Sequence, residues 1–363
     1  MEKGKADKIK GCLLGGAVGD ALGAPVEFLS LDRIISRYGA GGVTGYAEFA
    51  DGTGKFTDDT QMTLFTADAI IRRELRMEIH GFGAHLDQFA LNAYRRWLLT
   101  QGYDFRLKED SMQYQTLHSG WLIKREELFE QRSPGMTCMQ SLISGKIKGG
   151  AVVKPDNDSK GCGGVMRVAP VGLSYEPREA FENAVLMASV THGHPSGYLA
   201  AGVLASVISF LLSGKNLKSS IGESVTILKS FESHHEVLDA VEKASYSAKN
   251  YAPSLDIIEI LGKGWVAEEA LSIALYCCLC YPKNFEKGVL LSVNHSGDSD
   301  STGSISGNIL GAMLGMKSIP VILLENLQCR DIVNQIADDM IRYRAVHTEE
   351  EIETWIERYP ISL

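Results

Sequence analysis

Gly11, Gly15, Gly19 and Gly23 recur at every fourth residue of a stretch that reads as a helix from Lys8 to Ala24. Near the other end, Gly303, Gly307, Gly311 and Gly315 repeat the spacing. On a helix this puts each set along one face. An interior glycine costs about 1 kcal/mol relative to alanine, so two such faces imply that backbones approach closely there. In membranes the pattern drives helix pairing, but Asp20 and the flanking charges argue against a bilayer. The two helices are therefore expected to pack closely in the core, with each other as the natural partners. The ends of the chain then meet, which favours a single domain over residues 1–363 rather than two.

The rest of the chain is read as helical. Apolar periodicity predicts helices over 58–76, 84–100, 137–144, 178–190, 198–213, 221–230, 234–249 and 266–281, and another carrying Asp331, Ile332, Ile336 and Met340. There is no βαβ alternation and no repeat at a solenoid period. The expected class is all-α, a large helical bundle. Glycine-rich 38–55, polar 102–119 and the stretch 145–164 read as loops, and loops of such length are often functional.

Composition narrows the partners. The formal net charge of −9 opposes binding of nucleic acid across the whole surface, though a pocket can still take a small anion. The N-terminus, Met1 to Lys8, is charged and carries no signal-peptide pattern. No uncharged apolar run is expected to reach the roughly 18 residues of a membrane span. A cytoplasmic location with no nucleic-acid or membrane partner is the expectation. The 7 cysteines lack framework spacing. Cys277, Cys278 and Cys280 fall in an apolar helical run without a nearby histidine, and read as buried free thiols rather than metal ligands.

Chemistry concentrates in two oxygen-rich helix starts. Phe56-Thr57-Asp58-Asp59-Thr60 opens an apolar-periodic run, and Gly297-Asp298-Ser299-Asp300-Ser301-Thr302-Gly303 opens the second glycine-faced helix. Alone, either reads as a capped helix with acids in its first turn. Facing each other, their carboxylates would repel strongly without cations. Asp, Ser and Thr oxygens are hard ligands suited to Mg²⁺ or Mn²⁺. Gly161-Cys162-Gly163-Gly164 precedes Val165-Met166-Arg167 and could form an N–H nest for phosphate or a plain turn. It is neither a P-loop nor a Rossmann fingerprint. His192 and His194, alternate in a turn, suit bonds to backbone or substrate, and Glu27 lies between apolar neighbours.

These stretches, with Gly11 to Gly15, Pro25 to Phe28 and Thr191 to Tyr198, resemble the ADP-ribosylglycohydrolases, which include the dinitrogenase reductase-activating hydrolases. They occur in family order across about residues 9–345. The resemblance implies an all-α fold with a dinuclear centre of two divalent cations, Mg²⁺ or Mn²⁺, beneath an ADP-ribose cleft. It implies Thr57, Asp58, Asp59, Asp298, Asp300 and Ser301 as metal ligands, and Glu27, Asp58, Asp59 and Asp300 as the catalytic set. Gly161, Cys162, Gly163, Gly164, Val165, Met166 and His192 would line the ADP-ribose site. The implied activity is removal of ADP-ribose from modified proteins. Arg132-Ser133-Pro134-Gly135-Met136-Thr137-Cys138 and Asp298 to Gly303 look like the arginine-directed branch. Asp104, Glu109 and Asp110 could then receive the guanidinium or supply a further catalytic acid, or be solvated loop. The competing readings are hydrolysis of serine-linked ADP-ribose, a metal-dependent phosphohydrolase, a non-catalytic ADP-ribose binder, and an immunity-type protein that also covers an ADP-ribosyltransferase toxin.

Overall fold

The computed structural model describes residues 3–46, 52–81, 85–345 and 348–362. In the first half, helices are α1 (Lys3–Gly23), α2 (Leu31–Tyr38), α3 (Asp58–His80), α4 (Leu86–Thr100), α5 (Met112–Leu117) and α6 (Met136–Ser144). A two-stranded hairpin, Ile147–Lys148 with Ala151–Val152, follows α6. The middle holds α7 (Ala169–Ser174), α8 (Pro177–Ser189), α9 (Pro195–Leu212), α10 (Leu217–Leu228), α11 (His235–Asn250) and α12 (Leu255–Leu261). The chain ends in α13 (Ala267–Cys280), α14 (Phe285–Val293), α15 (Ser299–Leu314), α16 (Val321–Glu325), α17 (Arg330–Arg342) and α18 (Glu349–Arg358). The fold is all-α.

The glycine faces meet. α1 and α15 run antiparallel through the core, Gly11 against Gly311, Gly15 against Gly307, Gly19 against Gly303 and Gly23 against Ser299. A methyl group on Gly15 would overlap the Gly307 carbonyl, and one on Gly303 would overlap that of Gly19. Asn308 Nδ2 donates to the Cys12 carbonyl at 2.8 Å and ties the pair together. Both helices are buried along most of their length, with α3 and α17 packed beside α1 and with α13 and α14 beside α15.

α9 corrects one expectation. Pro195–Leu212 is an uncharged helix of 18 residues with mean hydropathy 1.7, long and apolar enough to cross a membrane. In the fold 83% of that window is buried inside the protein, against α7, α8, α10 and α13. Its apolarity therefore serves the core.

Short helices escaped the periodicity. α5 lies inside the stretch expected to be irregular, started by Ser111, whose Oγ accepts from Tyr114 N at 3.2 Å. α18 starts at a Thr348–Glu351 capping box. The expected loop 38–55 begins on the last residue of α2, Tyr38, and is non-helical beyond it where described, and its residues 47–51 lie outside the described set. Cys277 and Cys278 are buried free thiols and Cys280 is half-buried and free, as anticipated.

Candidate active site

The start of α3 is built on a carboxylate that motif reading passed over. Asp20, on α1, is fully buried. Its oxygens accept from the Thr57 N–H at 2.9 and 3.0 Å and from Thr57 Oγ1 at 2.9 Å. They also accept from the Thr60 N–H at 3.0 Å and its hydroxyl at 2.5 Å. Asp20 thus satisfies donors that a helix start leaves orphaned. Burial and the neighbouring Asp300 raise its pKa to about 7, against those hydrogen bonds. The signal was a single acid within an apolar, glycine-faced helix.

Thr57 caps α3 and its hydroxyl accepts from Asp59 N at 3.4 Å. With its proton given to Asp20, that oxygen keeps lone-pair capacity for another partner. Asp58 accepts from Gly135 N at 3.3 Å, and its own N–H donates to the Arg132 carbonyl at 3.2 Å. The Arg132 to Cys138 segment therefore folds over the start of α3.

The α15 start faces this one. Asp298 is its N-cap, accepting from Ser301 N at 3.3 Å, while Asp300 Oδ1 accepts from the same N–H at 3.0 Å. Ser301 Oγ bridges the two helices by donating to Asp59 Oδ2 at 3.3 Å. The glycine contact of α1 with α15 is what brings these starts together. On the far wall, Cys162 Sγ donates to Asp298 Oδ2 at 2.8 Å.

The four aspartates are each no more than 4% exposed. Burial, then the charge of Asp300, pushes Asp58, Asp59 and Asp298 well above the usual carboxylate range. Glu27 follows the 3-10 turn Ala24–Val26 and is half-buried. Burial, Asp300 and Asp298 raise it to about 10, opposed by a hydrogen bond with Ser133. Such crowding of like charges asks for a cationic partner. Asp59 Oδ1 is buried and has no hydrogen-bond partner. Hard carboxylate and hydroxyl oxygens with one such open oxygen fit a hard divalent cation. Among the described residues no three His, Cys, Asp or Glu side chains already stand as a metal-holding group, so the fit rests on donor chemistry and on that oxygen.

The acids open into a cleft of about 320 Å³. Of the expected site residues, Glu27, Asp58, Asp59, Asp298, Asp300 and Ser301 line it, as do Gly161, Cys162, Gly163, Met166 and His192. Thr57 does not, being turned beneath toward Asp20. Gly164 and Val165 do not either. They are buried, and a methyl on Gly164 would meet the Gly197 carbonyl at 2.8 Å and Ala188 Cβ at 3.2 Å, behind the wall.

The Gly161 to Gly164 segment is a 3-10 turn, and none of its glycines takes a positive φ. The αL residues of an N–H nest are absent from it. The Cys162 N–H is committed to the Trp265 carbonyl at 3.2 Å, and that of Gly161 to Ser159 Oγ at 3.3 Å. Close packing explains the glycines, since a methyl on Gly163 would sit 2.8 Å from Cys138 Sγ and 3.3 Å from His192 Cε1. His194 Nδ1 caps α9 by accepting from Ser196 N at 3.1 Å.

Asp104, Glu109 and Asp110 are not among the lining residues. Asp104 instead accepts from Arg106 N at 2.7 Å within its own loop. The rim comes from elsewhere. Phe28, at φ 66°, stacks on Trp265 with ring centroids 5.1 Å apart and planes at 25°. Residues Ser133 to Cys138 line the cleft as well. Nothing in the periodicity marked Phe28 or Trp265, because loop residues separated by most of the chain meet only in the fold.

A family model described as ADP-ribosylglycohydrolase matches residues 1–350. The chain is 25% identical to an "ADP-ribosylarginine hydrolase Tri1" of Pseudomonas putida, over 92% of this chain and 78% of that protein. It is 26% identical to an "ADP-ribosylhydrolase ARH3" of Mus musculus, over 86% of this chain and 85% of that one. Among solved structures, an "ADP-ribosylglycohydrolase-related protein complex" superposes with a TM-score of 0.63 at 24% identity, covering 94% of this chain and 99% of its own.

Proposed function

This chain belongs to the ADP-ribosylglycohydrolase family, and from that premise we propose that it removes ADP-ribose from proteins by hydrolysing its N-glycosidic bond to arginine. The observation that carries the site assignment is the open Asp59 Oδ1 within a wall of buried carboxylates. Asp58, Asp59, Asp298 and Asp300, with the Thr57 and Ser301 hydroxyls, would hold two divalent cations, Mg²⁺ or Mn²⁺. When bound, such cations supply Lewis acidity and lower the pKa of a coordinated water.

The chain's own residues do the rest. The bond breaks through an oxocarbenium-like transition state. Glu27, beside Asp298 and Asp300, would take the proton of the attacking water once bound cations offset the neighbouring charges that otherwise keep it protonated. Ser133, bonded to Glu27, orients it. The Gly161 to Gly163 turn, Met166 and His192 bound the remainder of the cleft. Binding ADP-ribose there converts remote contacts into alignment of the anomeric carbon. Phe28 and Trp265 give the leaving guanidinium a planar apolar rim, which suits a delocalised cation.

Serine-linked ADP-ribose is the second reading. It is left open by the similarity to a protein whose name, ADP-ribosylhydrolase ARH3, specifies no arginine, and is favoured by the absence of Asp104, Glu109 and Asp110 from the cleft lining. Two test proteins, one modified at arginine and one at serine, treated with equal enzyme with and without EDTA, separate the readings. Faster EDTA-sensitive release from arginine is expected. Faster release from serine overturns the linkage, and undiminished release in EDTA overturns the metal centre.

A further inference from the structure

Ser133 meets Glu27 at the cleft, and it does so from a backbone in the left-handed region, at φ 51°. That state is uncommon for a residue with a side chain and persists only where the surroundings over-determine it. The segment leading into Ser133 is held at three consecutive residues. The Glu130 carbonyl accepts from Gln61 Nε2 at 2.9 Å. The Gln131 side-chain amide donates to the Gln101 carbonyl. The Arg132 carbonyl accepts the Asp58 N–H at 3.2 Å, and its guanidinium donates to the Phe56 carbonyl at 2.9 Å and Gln328 Oε1 at 2.7 Å.

The first of these anchors is itself locked from behind. Gln61 is fully buried in the first turns of α3. Its Oε1 accepts from Trp97 Nε1 and from Gln101 Nε2, both at 3.0 Å. An indole N–H can only donate, so the Gln61 oxygen must face α4 and its NH₂ group must face Glu130. Turning the amide over would leave the buried Trp97 N–H without an acceptor, which is costly. Asp58 and Gln61 are three residues apart and share a face of the helix. One turn of α3 therefore grips Glu130 through Gln61, and Arg132 and Gly135 through Asp58.

We propose that Gln61 is a positioning residue for the hydrolysis: locked in one amide orientation by Trp97 and Gln101, it fixes the Glu130 carbonyl and so the place from which Ser133 reaches Glu27. This rests on the reading of Glu27 as the group that takes the proton of the attacking water. Such a group must stand within hydrogen-bond reach of that water. Gln61 touches neither the water nor the substrate and acts only along the path from Glu130 to Ser133. A misplacement of about 1 Å can cost about 100-fold in rate, and a segment that keeps its other anchors moves less than that.

The test uses the full-length, Mg²⁺-loaded protein. Gln61→Met keeps the length and apolar stem of the side chain but cannot donate to Glu130. It should lower kcat about tenfold with KM nearly unchanged. Ser133→Ala should lower kcat as well, and adding Gln61→Met to it should cost less than about twofold more, because both changes act on one contact. Losses that multiply independently would make Gln61 a purely structural residue and overturn the proposal, as would a rise in KM alone. Trp97→Phe leaves Gln61 in place but frees its amide to turn over, and should give a smaller kcat loss that Ser133→Ala also absorbs. An unchanged kcat in that variant overturns the lock, and it decides if Gln61→Met does not fold. Hydrogen exchange at the Asp58 amide, which donates to the Arg132 carbonyl, reads the segment without turnover. It should quicken about tenfold in the Gln61 or Trp97 variant while the amides of α9 stay as they were, and unchanged exchange overturns the anchoring. Wild-type protein that releases ADP-ribose from no substrate would instead overturn the functional reading, and the exchange measurement would still decide the anchoring.

Discussion

Asp59 and Asp68 sit on the same helix, α3, and are buried to 2% and 1% exposure. Asp68 meets Arg72 Nε at 2.9 Å and the Arg96 guanidinium, both from inside the chain. Burial pushes its pKa up, but the two arginines outweigh this and hold it below the usual range. Arg72 passes the charge on to the Ser119 carbonyl at 2.9 Å and the Pro360 carbonyl at 2.7 Å, fastening a loop and the C-terminal tail. Asp59 has Ser301 on one oxygen, nothing on the other, and carboxylates for neighbours. One buried acid is neutralised by its own chain, the other is left to be neutralised from outside. Under the proposed function, that asymmetry separates an acid kept for architecture from one kept for chemistry.

The comparison can be broken most forcefully at its structural end. Asp68→Asn removes one partner from a buried ion network, and about 3–5 kcal/mol of stability is expected to go with it. Urea unfolding measures this. The folded fraction should keep wild-type hydrolysis per molecule, and a specific activity lost in proportion to stability would put Asp68 in the chemistry.

At the other end, Asp300→Asn or Asp58→Asn should lower hydrolysis about 100-fold or more, as removal of a transition-state electrostatic group does. Calorimetric titration with Mg²⁺ should show weakened binding. Stability without metal should rise rather than fall, because a repelling charge has gone. Full activity at limiting metal for both variants would end the dinuclear assignment.

Gly15→Leu and Gly307→Leu probe the contact that aligns the acid cluster. Overpacking there is expected to cost about 1–3 kcal/mol, read as a lowered melting temperature. Metal affinity should fall with it, while the Asp68 network stays intact. Unchanged melting for both would mean that the helix faces can part at no cost.

The smallest effect is the sharpest in sign. Asp20, with a folded pKa of about 7, and Glu27, with one of about 10, lie above their unfolded values. The folded state then binds more protons than the unfolded one across neutral pH, so stability falls as pH rises. In EDTA, melting temperature should increase as pH drops from about 8 to 6. Asp68 acts oppositely, since its depressed pKa gives stability that is present above the ordinary carboxylate range and lost as pH falls through the folded value. Saturating Mg²⁺ should flatten the neutral slope, and a slope unchanged by Mg²⁺ would mean that cations do not touch these acids.

Much of this was legible in the sequence, for identifiable reasons. The glycine spacing foretold the α1–α15 contact because only close backbones justify so many glycines in helices. The paired acids foretold the cleft because helix starts aim their first-turn side chains outward together. Gly164 and Val165 could not be separated from Gly163 along the chain, since only packing against Ala188 and the Gly197 carbonyl turns them behind the wall. The uncharged length of Pro195–Leu212 did not register because tyrosine, serines and glycines dilute its apolar character. Asp20 was visible but unassigned, its partners Thr57 and Thr60 lying 37 and 40 residues away.

The tie between Asn308 and Cys12 spans 296 residues, and the Ser301–Asp59 bridge spans 242. During synthesis from the N-terminus, α1 must therefore wait with its glycine face uncovered until nearly the whole chain has emerged. Contacts of such separation are slow to form, and exposed faces of large proteins invite association meanwhile. The acid cluster is completed by the same late event. No nascent or C-terminally truncated chain lacking α15 can assemble it, so synthesis through α15 is itself a condition of forming the acid cluster.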